Sequence, residues 1–306
     1  MDENEHLSPA ISLARNGKSF HWASHVLGAK MGGDAATLYA FCRLLDDMAD
    51  GDVTDGPARL AVIRDDLANG RVSGDPAFAA FQPFMTQKMM SSAVLLALID
   101  GLLGDQAPEV AIADEGELLQ YAYRVAGTVG LLMCQVLECD HPDAYAHAID
   151  LGIAMQLTNI ARDVHEDALM GRRYVPADWV DGLTPADIVR VAKYPDGLEA
   201  ELISAAVERL LVMADQFYRS GAQGYRYLPP RAHLAIAIAA RVYRQIGLQL
   251  RRAGCNWHAG RQVTSTATKL VVSVPVLCSL TRRLRIGGAP HDAMLHRDLQ
   301  GLPHVG

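Results

Sequence analysis

Oxygen-bearing side chains recur every four residues in two separate segments of this 306-residue chain. Asp46 and Asp50 do so in AFCRLLDDMADGD, and Asn159, Asp163 and Asp167 do so in QLTNIARDVHEDALMGRRYVP. An α-helix turns once in about 3.6 residues, so each set forms a stripe along one helix face. Five oxygen ligands without a thiol or imidazole partner are the donor set that Mg²⁺ prefers, with Mn²⁺ as the alternative hard ion.

These acids stand where a bare carboxylate is unfavourable. Each stripe approaches the C-terminal end of a predicted helix, where the helix dipole already places partial negative charge. Bound cations would offset that charge, and Arg43 and Arg162 stand beside the two stripes in sequence. Magnesium and arginine together suit a diphosphate, because they neutralise the negative charge that develops when this group leaves. The two stripes therefore predict a magnesium and diphosphate site, against the alternative that both are helix ends facing water.

Long helices must hold the two stripes in place. Apolar side chains at intervals of three and four residues predict helices, the longest over residues 115–138, 143–169, 198–222, 230–252 and 264–285. The turn signal at 32–34 (GGD) predicts an N-cap before the first acidic helix, and Thr184-Pro185 predicts another helix start. No alternating strand pattern and no repeat of fixed period compete with these helices. The sequence therefore predicts an all-α chain that forms one bundle of long helices around a central core.

Composition argues against several other classes of protein. The formal net charge of -7 and the sequence pI near 5.9 argue against a nucleic-acid partner. Five cysteines without a C-x-x-C pair indicate neither a disulfide framework nor a zinc site. The acidic start MDENEHLSPA lacks the basic region and long apolar run of a secretory signal, so we expect a cytoplasmic protein. We divide the chain into one domain over residues 1–285 and a loose tail over residues 286–306.

The segment LVVSVPVLCSLTRRLR, residues 270–285, joins an apolar run to three arginines. The run is too short to span a bilayer and contains Pro275. A helix of this composition can lie on an anionic surface such as the inner membrane, through Arg282, Arg283 and Arg285. A core helix with basic residues at its C-terminus satisfies the helix dipole equally well, and it is the interpretation that we favour.

Three segments carry a resemblance to a known family. YAFCRLLDDMAD, YAYRVAGTVGLLMCQVLE and QLTNIARDVHEDALMGRRYVPADW resemble the hallmark segments of the squalene/phytoene synthase family, and most of all those of its bacterial phytoene synthases. The resemblance covers residues 15–265. It implies an all-α isoprenoid-synthase bundle with a central substrate cavity. It also implies a Mg²⁺-dependent prenyltransferase that joins two geranylgeranyl diphosphates head to head, through prephytoene diphosphate, into 15-cis-phytoene for carotenoid biosynthesis, without NADPH.

The same resemblance assigns roles to individual residues. Asp46 and Asp50 match the first metal-binding motif of the family, and Asn159, Asp163 and Asp167 match the second. Tyrosines match positions near the reacting carbons, where aromatic rings can stabilise carbocations. The resemblance thus implies a catalytic set of Tyr39, Asp46, Asp50, Tyr121 and Asp163, and substrate contacts from Arg43, Gln156, Asn159, Arg162 and Tyr243.

Two positions depart from the family pattern. The N-terminal phosphate contact of the family reads Ser-x-Ser-Phe, whereas residues 17–20 of this chain read GKSF. Only Ser19 is therefore carried over as a substrate contact. The basic pair expected near the C-terminus is reduced to GR at residues 260–261, which leaves Arg261 as the candidate clamp on the substrate.

Small residues farther along the first acidic helix bear on the length of the substrate. Ala36 lies ten residues before Asp46, about 15 Å along the helix axis and within about 80° of the same face. The family resemblance places Ser24 at the same end of the substrate path. Neither side chain would block a long prenyl tail, so we expect the C20 substrate geranylgeranyl diphosphate.

Other functions use the same side chains. Squalene, dehydrosqualene or presqualene diphosphate synthesis from farnesyl diphosphate needs the same acids, and the squalene reaction adds NADPH. A helical nucleotide pyrophosphohydrolase also places acids on facing helices around Mg²⁺, although the apolar helices and the three segments argue against it. A non-catalytic assembly factor related to this family would have lost aspartates, whereas all five predicted ligand positions are present here.

Overall fold

The computed structural model describes residues 9–107, 109–260, 264–276, 280 and 290–305. Helices dominate these residues, as predicted, and the strands β1 (Val110–Ala111) and β2 (Arg172–Arg173) form a short parallel pair. The α-helices found in the described residues are α1 (Pro9–Asn16), α2 (Lys18–Ser24), α3 (Ala29–Ala49), α4 (Gly56–Ala68), α5 (Pro76–Gln87), α6 (Ser92–Gly104), α7 (Glu115–Ala122), α8 (Thr128–Val136), α9 (Asp143–Leu169), α10 (Pro185–Lys193), α11 (Leu198–Gly221), α12 (Pro230–Arg252) and α13 (Thr266–Ser273).

Tighter and wider helical turns join several of these helices. Short 3₁₀-helices are found at Ala177–Trp179, Ala222–Tyr227 and Ala293–Leu299. A turn of π-helix at Tyr123–Gly127 separates α7 from α8, so the single helix predicted over 115–138 is divided. Insertions of this kind widen a helix locally and are frequent at functional sites.

The long helix α9 forms the centre of the bundle. It packs against α8, α10, α11 and α12. Ile149, Ile153, Leu157 and Ile160 follow one another at spacings of three and four residues, and none of them is more than 2% exposed. This apolar stripe supplies the burial that stabilises the helix, since packing rather than intrinsic propensity determines most helix stability in proteins.

The first acidic helix begins earlier than the turn signal at 32–34 predicts. Helix α3 starts at Ala29, after Gly28 with a φ of +81°, and continues through Gly32 and Gly33. The predicted N-cap at Asp34 is therefore wrong. The positive φ at Gly28 supplies the turn, and a β-carbon built on Gly32 would lie 3.5 Å from the carbonyl oxygen of Ser24, which places this glycine close to α2.

The tail predicted to be loose is packed where the structure describes it. Within residues 290–305, Leu299 is fully buried, and the Tyr123 hydroxyl donates a hydrogen bond to the carbonyl of Pro303. The side-chain amide of Gln120 also donates to the carbonyl of Asp298 over 3.1 Å. Our expectation was wrong for these residues because polar contacts, which leave little apolar periodicity in the sequence, anchor them.

Helix α13 lies at the surface. None of its residues is buried, and Leu270, Val271 and Val274 are 51%, 71% and 66% exposed, whereas Val276, beyond the helix, is fully buried. The core-helix interpretation that we favoured does not hold for Leu270, Val271 and Val274. Arg282, Arg283 and Arg285 lie outside the described residues. In the described part of the chain, every helix is too short or too polar to cross a lipid bilayer.

Candidate active site

A cavity of about 390 Å³ runs between the helices that carry the two stripes. Its lining follows α3 from Ala35 to Asp46, about 16 Å along the axis, and α9 from Ala144 to Asn159, about 22 Å. Leucine, alanine, valine and methionine form most of the wall. Tyr39, Arg43, Asp46, Tyr121, Gln156, Asn159 and Tyr243, all selected from the sequence, belong to the lining.

The first stripe lies at the C-terminal end of α3. Asp46 accepts a hydrogen bond from the Arg43 guanidinium over 2.8 Å, and the same guanidinium pairs with the buried Asp47. Asp50 caps the helix and accepts a hydrogen bond from Arg172 over 2.7 Å. Arg43, which was predicted to stand beside the diphosphate, therefore contacts Asp46 and Asp47 in the structure.

The second stripe lies in the last turns of α9, at a distortion of that helix. Asp163 has φ -107° and ψ 16°, outside the helical region, and marks a kink in α9. The Arg162 guanidinium donates to both oxygens of Asp163, one of them over 2.7 Å. Asn159 donates from its amide to Gln156 over 3.3 Å. The buried Oδ1 of Asn159 has no hydrogen-bond partner among the described residues, and Asn159 lines the cavity.

Asp105, just after α6, is an acid of the site that sequence reasoning missed. The Tyr121 hydroxyl donates to Asp105 over 2.8 Å, and the Tyr121 ring stacks on Tyr174 with centroids 4.6 Å apart. Asp105 interacts electrostatically with Asp46 of the first stripe and with Asp167 of the second. One carboxylate therefore lies within electrostatic range of both stripes.

Arg172 of β2 also joins the two stripes. Besides its contact with Asp50, its positive charge opposes the rise that burial causes in the pKa values of Asp105 and Asp167. The β1–β2 pairing sets Arg172 opposite Val110, next to α9. No helical periodicity marks a residue in such a short strand, which is why the sequence pattern did not select Arg172.

The acids are held where their charged forms are unfavourable. Burial raises the pKa of Asp46 to about 6, with Asp50, Asp47 and Asp105 adding to the rise and Arg43 opposing it. The Asp46 side chain is 42% exposed and lines the cavity. Burial also raises the pKa of Asp105 to about 6, and burial together with Asp163 raises the pKa of Asp167 to about 8. A bound cation would reverse these shifts.

The donor set fits a hard divalent cation. Carboxylates of Asp46, Asp50, Asp163 and Asp167 offer oxygen, and the unsatisfied amide oxygen of Asn159 is available as a neutral ligand. Oxygen-only sites of this kind bind Mg²⁺ or Mn²⁺ rather than metals that prefer nitrogen or sulfur.

Aromatic rings line the cavity beside the first stripe. The Phe20 ring lies between Tyr39 and Tyr243, with centroids 6.1 Å and 5.3 Å away. Burial and the neighbouring Tyr243 raise the pKa of Tyr39, so its hydroxyl keeps its proton. Tyr243 also interacts with Arg162 of the second stripe, which brings these rings next to both sets of acids.

The residues predicted to set the tunnel depth are only partly at the cavity. Ser24 lines it, whereas Ala36 is buried outside the lining and Ala35 takes its place. Helical geometry explains the correction. Ala35 precedes Asp46 by eleven residues, and eleven steps of 100° come within about 20° of three whole turns, compared with about 80° for Ala36.

The two phosphate contacts carried over at the ends of the chain are not described. The backbone of Ser19 belongs to α2, but its side chain lies outside the described structure. Arg261 also lies outside the described residues.

The π-helical turn brings its backbone to the cavity wall. Val125 and Ala126 of this turn line the cavity. A β-carbon on Gly130 or Gly152 would collide with the backbone of the facing helix or turn, so these glycines permit the close approach of α8 and the π turn to α9. The wide turn and the close helix packing therefore occur together here.

Comparison with known proteins identifies the chain. Residues 13–269 match the squalene/phytoene synthase family. The chain belongs to the squalene/phytoene synthase family. It is 37% identical over 271 residues to a 15-cis-phytoene synthase of Enterobacter agglomerans, covering 84% of this chain and 90% of that protein. It is 34% identical over 277 residues to a 15-cis-phytoene synthase of Paracoccus sp. (strain N81106 / MBIC 01143), covering 86% and 88%.

Solved structures agree with this family. A dehydrosqualene synthase crystallised in complex with a ligand superposes with a TM-score of 0.78 at 26% identity, covering 92% of this chain and 98% of that one. Squalene synthase HpnC from Alicyclobacillus acidocaldarius shares the fold, with a TM-score of 0.68. The predicted isoprenoid-synthase fold is confirmed. The chain is a prenyltransferase, and the family to which it belongs depends on divalent metal ions.

Proposed function

We propose that this chain is a 15-cis-phytoene synthase, which joins two geranylgeranyl diphosphates head to head through prephytoene diphosphate. The similarity to bacterial 15-cis-phytoene synthases over most of both chains supports this function most directly. The cavity supports it independently, because its long apolar wall ends at polar residues of the two acidic stripes. Such a cavity suits a prenyl tail with a diphosphate at one end.

The acidic stripes would hold the metal ions, which we propose to be Mg²⁺. Asp46 and Asp50 would form one ligand set, and Asn159, Asp163 and Asp167 the other. When bound, the ions supply positive charge that neutralises a leaving diphosphate. Arg43, Arg162 and Arg172 stand among these acids, so their guanidinium groups can turn to the diphosphate oxygens once cations satisfy the carboxylates.

The reaction would then proceed in two steps in the apolar part of the cavity. In the first, C1 of one substrate loses its diphosphate and is attacked by the double bond of the second, and loss of a proton closes the cyclopropane. In the second, the remaining diphosphate leaves, the cation rearranges, and loss of another proton gives phytoene. The rings of Tyr39, Phe20 and Tyr243 would face such cations, and the apolar wall would exclude water that could trap them.

Synthesis of a C30 product from farnesyl diphosphate is the second candidate. The superposition with a dehydrosqualene synthase favours it specifically, because that enzyme shares the fold of this chain with a TM-score of 0.78. Squalene formation would replace the last proton loss by hydride transfer from NADPH. The two candidates therefore differ in the length of the substrate, and only squalene formation also depends on a reductant.

Product analysis tests the proposal. The purified chain is incubated with Mg²⁺ and either geranylgeranyl or farnesyl diphosphate, each with and without NADPH, and the extracted lipids are identified by chromatography and mass. We expect phytoene from geranylgeranyl diphosphate without NADPH. A C30 product alone would favour the second candidate, and recovery of both substrates unchanged would contradict the prenyltransferase activity.

We also propose that the exposed side of α13 contacts a membrane surface, where the lipid product would leave. The exposed Leu270, Val271 and Val274 support this contact. Co-sedimentation with anionic phospholipid vesicles should weaken in Val271→Asp. Val72→Asp is the matched control, because Val72 is 87% exposed elsewhere on the molecule. Equal binding of both variants and the unmodified chain would contradict a contact through α13.

A further inference from the structure

A second cluster of ionisable side chains lies at the opposite end of α9 from the acidic stripe. His147 and Asp150 belong to the first half of α9, and His291 and His296 come from the tail. His291 Nε2 lies 2.8 Å from Asp150 Oδ2, and His296 Nε2 lies 2.7 Å from Asp150 Oδ1. Ser220 of α11 donates a further hydrogen bond to Oδ2 of Asp150. Three side chains, from α11 and from the tail, thus hydrogen-bond one carboxylate of α9.

The geometry of the cluster suits coordination of one ion. One potential ligand atom from each of His147, Asp150 and His291 lies within 4.8 Å of the other two. The imidazole rings of His147 and His291 have centroids 5.3 Å apart, and those of His291 and His296 are 4.4 Å apart. Histidine and carboxylate ligands recur together in zinc sites.

The cluster lies away from solvent. The Asp150 side chain has no exposed surface, and the side chains of His291 and His296 are 16% and 7% exposed. His147 is buried as well. Hydrogen bonds from Ser220, His291 and His296 therefore hold the Asp150 carboxylate in place next to the imidazole of His147.

We propose that His147, Asp150 and His291 form a binding site for a divalent transition metal of the zinc class, with His296 holding the second carboxylate oxygen. The nitrogen-rich donor set separates this site from the oxygen-only stripes, because imidazole selects zinc-like ions over Mg²⁺. Asp150 also precedes Asp163 by thirteen residues, about 20 Å along α9. His296 in this arrangement does not coordinate the ion but hydrogen-bonds the coordinating carboxylate and orients it.

The site links the tail to the wall of the cavity. His147 lines the cavity, while His291 lies 141 residues after Asp150 in the sequence. An ion bound between them would have ligands from α9 and from the tail, two segments that are far apart in the chain. It would therefore hold residues 290–305 against α9. This role is structural, and it stands whether the enzyme prefers a C15 or a C20 substrate.

Cobalt titration of the full chain tests the site. The protein is stripped with a chelator and titrated with Co²⁺ in excess Mg²⁺, which occupies oxygen-only sites. We expect one equivalent of Co²⁺ to give the visible absorption of a low-coordinate imidazole site, and Zn²⁺ to displace it. His291→Ala should abolish the absorption. His296→Ala should weaken the affinity by about 10- to 100-fold, as loss of an outer ligand does.

His304→Ala is the matched control. His304 belongs to the same tail and its ring packs 5.1 Å from Tyr145, but it is not part of the cluster. The His304→Ala variant should bind Co²⁺ as the unmodified chain does. Absence of the absorption from the unmodified chain would overturn the proposal, and so would equal losses in His291→Ala and His304→Ala, because these would indicate that the tail was dislodged.

Proteolysis gives a readout that is independent of the spectrum. Arg297 is exposed within the tail, so trypsin can cleave after it when the tail detaches. Zn²⁺ should slow this cleavage in the unmodified chain and in His304→Ala, but not in His291→Ala. A cleavage rate in the unmodified chain that does not respond to Zn²⁺ would contradict the link between the tail and α9.

Discussion

Arg172 donates a hydrogen bond to Asp50 over 2.7 Å and thereby joins the segment after α9 to the end of α3. The two residues lie 122 positions apart in the sequence. The Arg172 side chain is only 16% exposed, and its charge acts on Asp105 and Asp167 as well as on Asp50. One guanidinium therefore binds Asp50 of the first stripe and acts electrostatically on Asp167 of the second.

Loss of this guanidinium should impair the reaction more than the fold. We expect Arg172→Gln to lower kcat on the order of tenfold to 10²-fold, because removal of one preorganised charge at a leaving group has effects of this size. Arg190→Gln is the control, since Arg190 forms an exposed ion pair with Glu199 outside the site. Steady-state kinetics with thermal unfolding of each variant measure the two effects. Similar kcat values in both variants would exclude a role for Arg172.

The aspartates of the two stripes should matter still more. Asp46→Asn and Asp163→Asn each replace a charged predicted ligand by a neutral one of the same size, and we expect turnover to fall by at least about 10²-fold. Circular dichroism should show that both variants fold. Asp65→Asn, at an exposed aspartate of α4, controls for loss of a carboxylate elsewhere. Normal turnover in either stripe variant would refute the assignment of the metal site.

The helical stripes could be read from the sequence because periodicity is a local property. A spacing of four residues places Asp46 and Asp50, or Asn159 and Asp163, on one helix face whatever the rest of the chain does. The kink at Asp163 was not predictable, since no proline or glycine marks it. The ends of helices were harder to predict from the local sequence, as the early start of α3 at Ala29 illustrates.

The remaining parts of the site depend on contacts between distant segments. Asp105 follows α6 in a turn and Arg172 lies in a two-residue strand, so neither belongs to a periodic pattern. The packed tail was missed because its anchors are His291 and His296 on the buried Asp150, and histidine is as common at surfaces as in such contacts. Only the three-dimensional arrangement shows that Asp105 and Arg172 belong to the acidic site and that the tail packs on Asp150.

The position of the Tyr39 ring should depend on a glycine at residue 17. A β-carbon at Gly17 would lie 2.9 Å from Cζ of Tyr39 and 3.0 Å from a methyl carbon of Leu13. Gly17→Ser, which restores the residue of the family pattern, should displace the Tyr39 ring and lower kcat on the order of tenfold. Gly33→Ala is the matched control, because no described atom lies within 4 Å of the added carbon.

The control variant should gain rather than lose stability. Alanine in a helix interior is favoured over glycine by about 0.5–1 kcal/mol, so Gly33→Ala should unfold at a slightly higher temperature with unchanged kcat. Gly17→Ser with normal kcat would show that the Tyr39 ring can move without consequence for the reaction.

The raised pKa of Asp167 should make the metal-free protein less stable at high pH. This carboxyl titrates at about 8 in the folded chain and at about 4 when unfolded. Between these values the folded chain keeps a proton that the unfolded chain has lost, so the free energy of unfolding falls as pH rises from about 4 to about 8. Urea unfolding at about pH 5 and about pH 8.5, with a chelator present, measures the slope.

Asp167→Asn should flatten this pH dependence, whereas Asp65→Asn should leave it unchanged. Addition of Mg²⁺ should stabilise the unmodified chain more at the higher pH, because metal ligands must lose their protons. An equal slope in Asp167→Asn and in the unmodified chain would show that the buried carboxyl does not control the stability.

The preference of the chain for a longer or shorter prenyl substrate should depend on Ala35 rather than on its neighbour Ala36. Both residues are at most 8% exposed, but only Ala35 lines the cavity, about 16 Å along α3 from Asp46. A prenyl tail whose diphosphate lies at the acidic stripes would pass this position. We therefore expect Ala35→Trp to suppress coupling of geranylgeranyl diphosphate at least about tenfold more than coupling of farnesyl diphosphate, since overpacking costs about 1–3 kcal/mol.

Ala36→Trp is the matched comparison, because it adds the same side chain one residue away and off the cavity face. It should lower turnover of both substrates to the same extent and lower the unfolding temperature, as damage to packing does. Competition between the two substrates, with the ratio of C40 to C30 products as the readout, compares the variants directly. Equal product ratios in Ala35→Trp and Ala36→Trp would show that the prenyl tail does not pass Ala35.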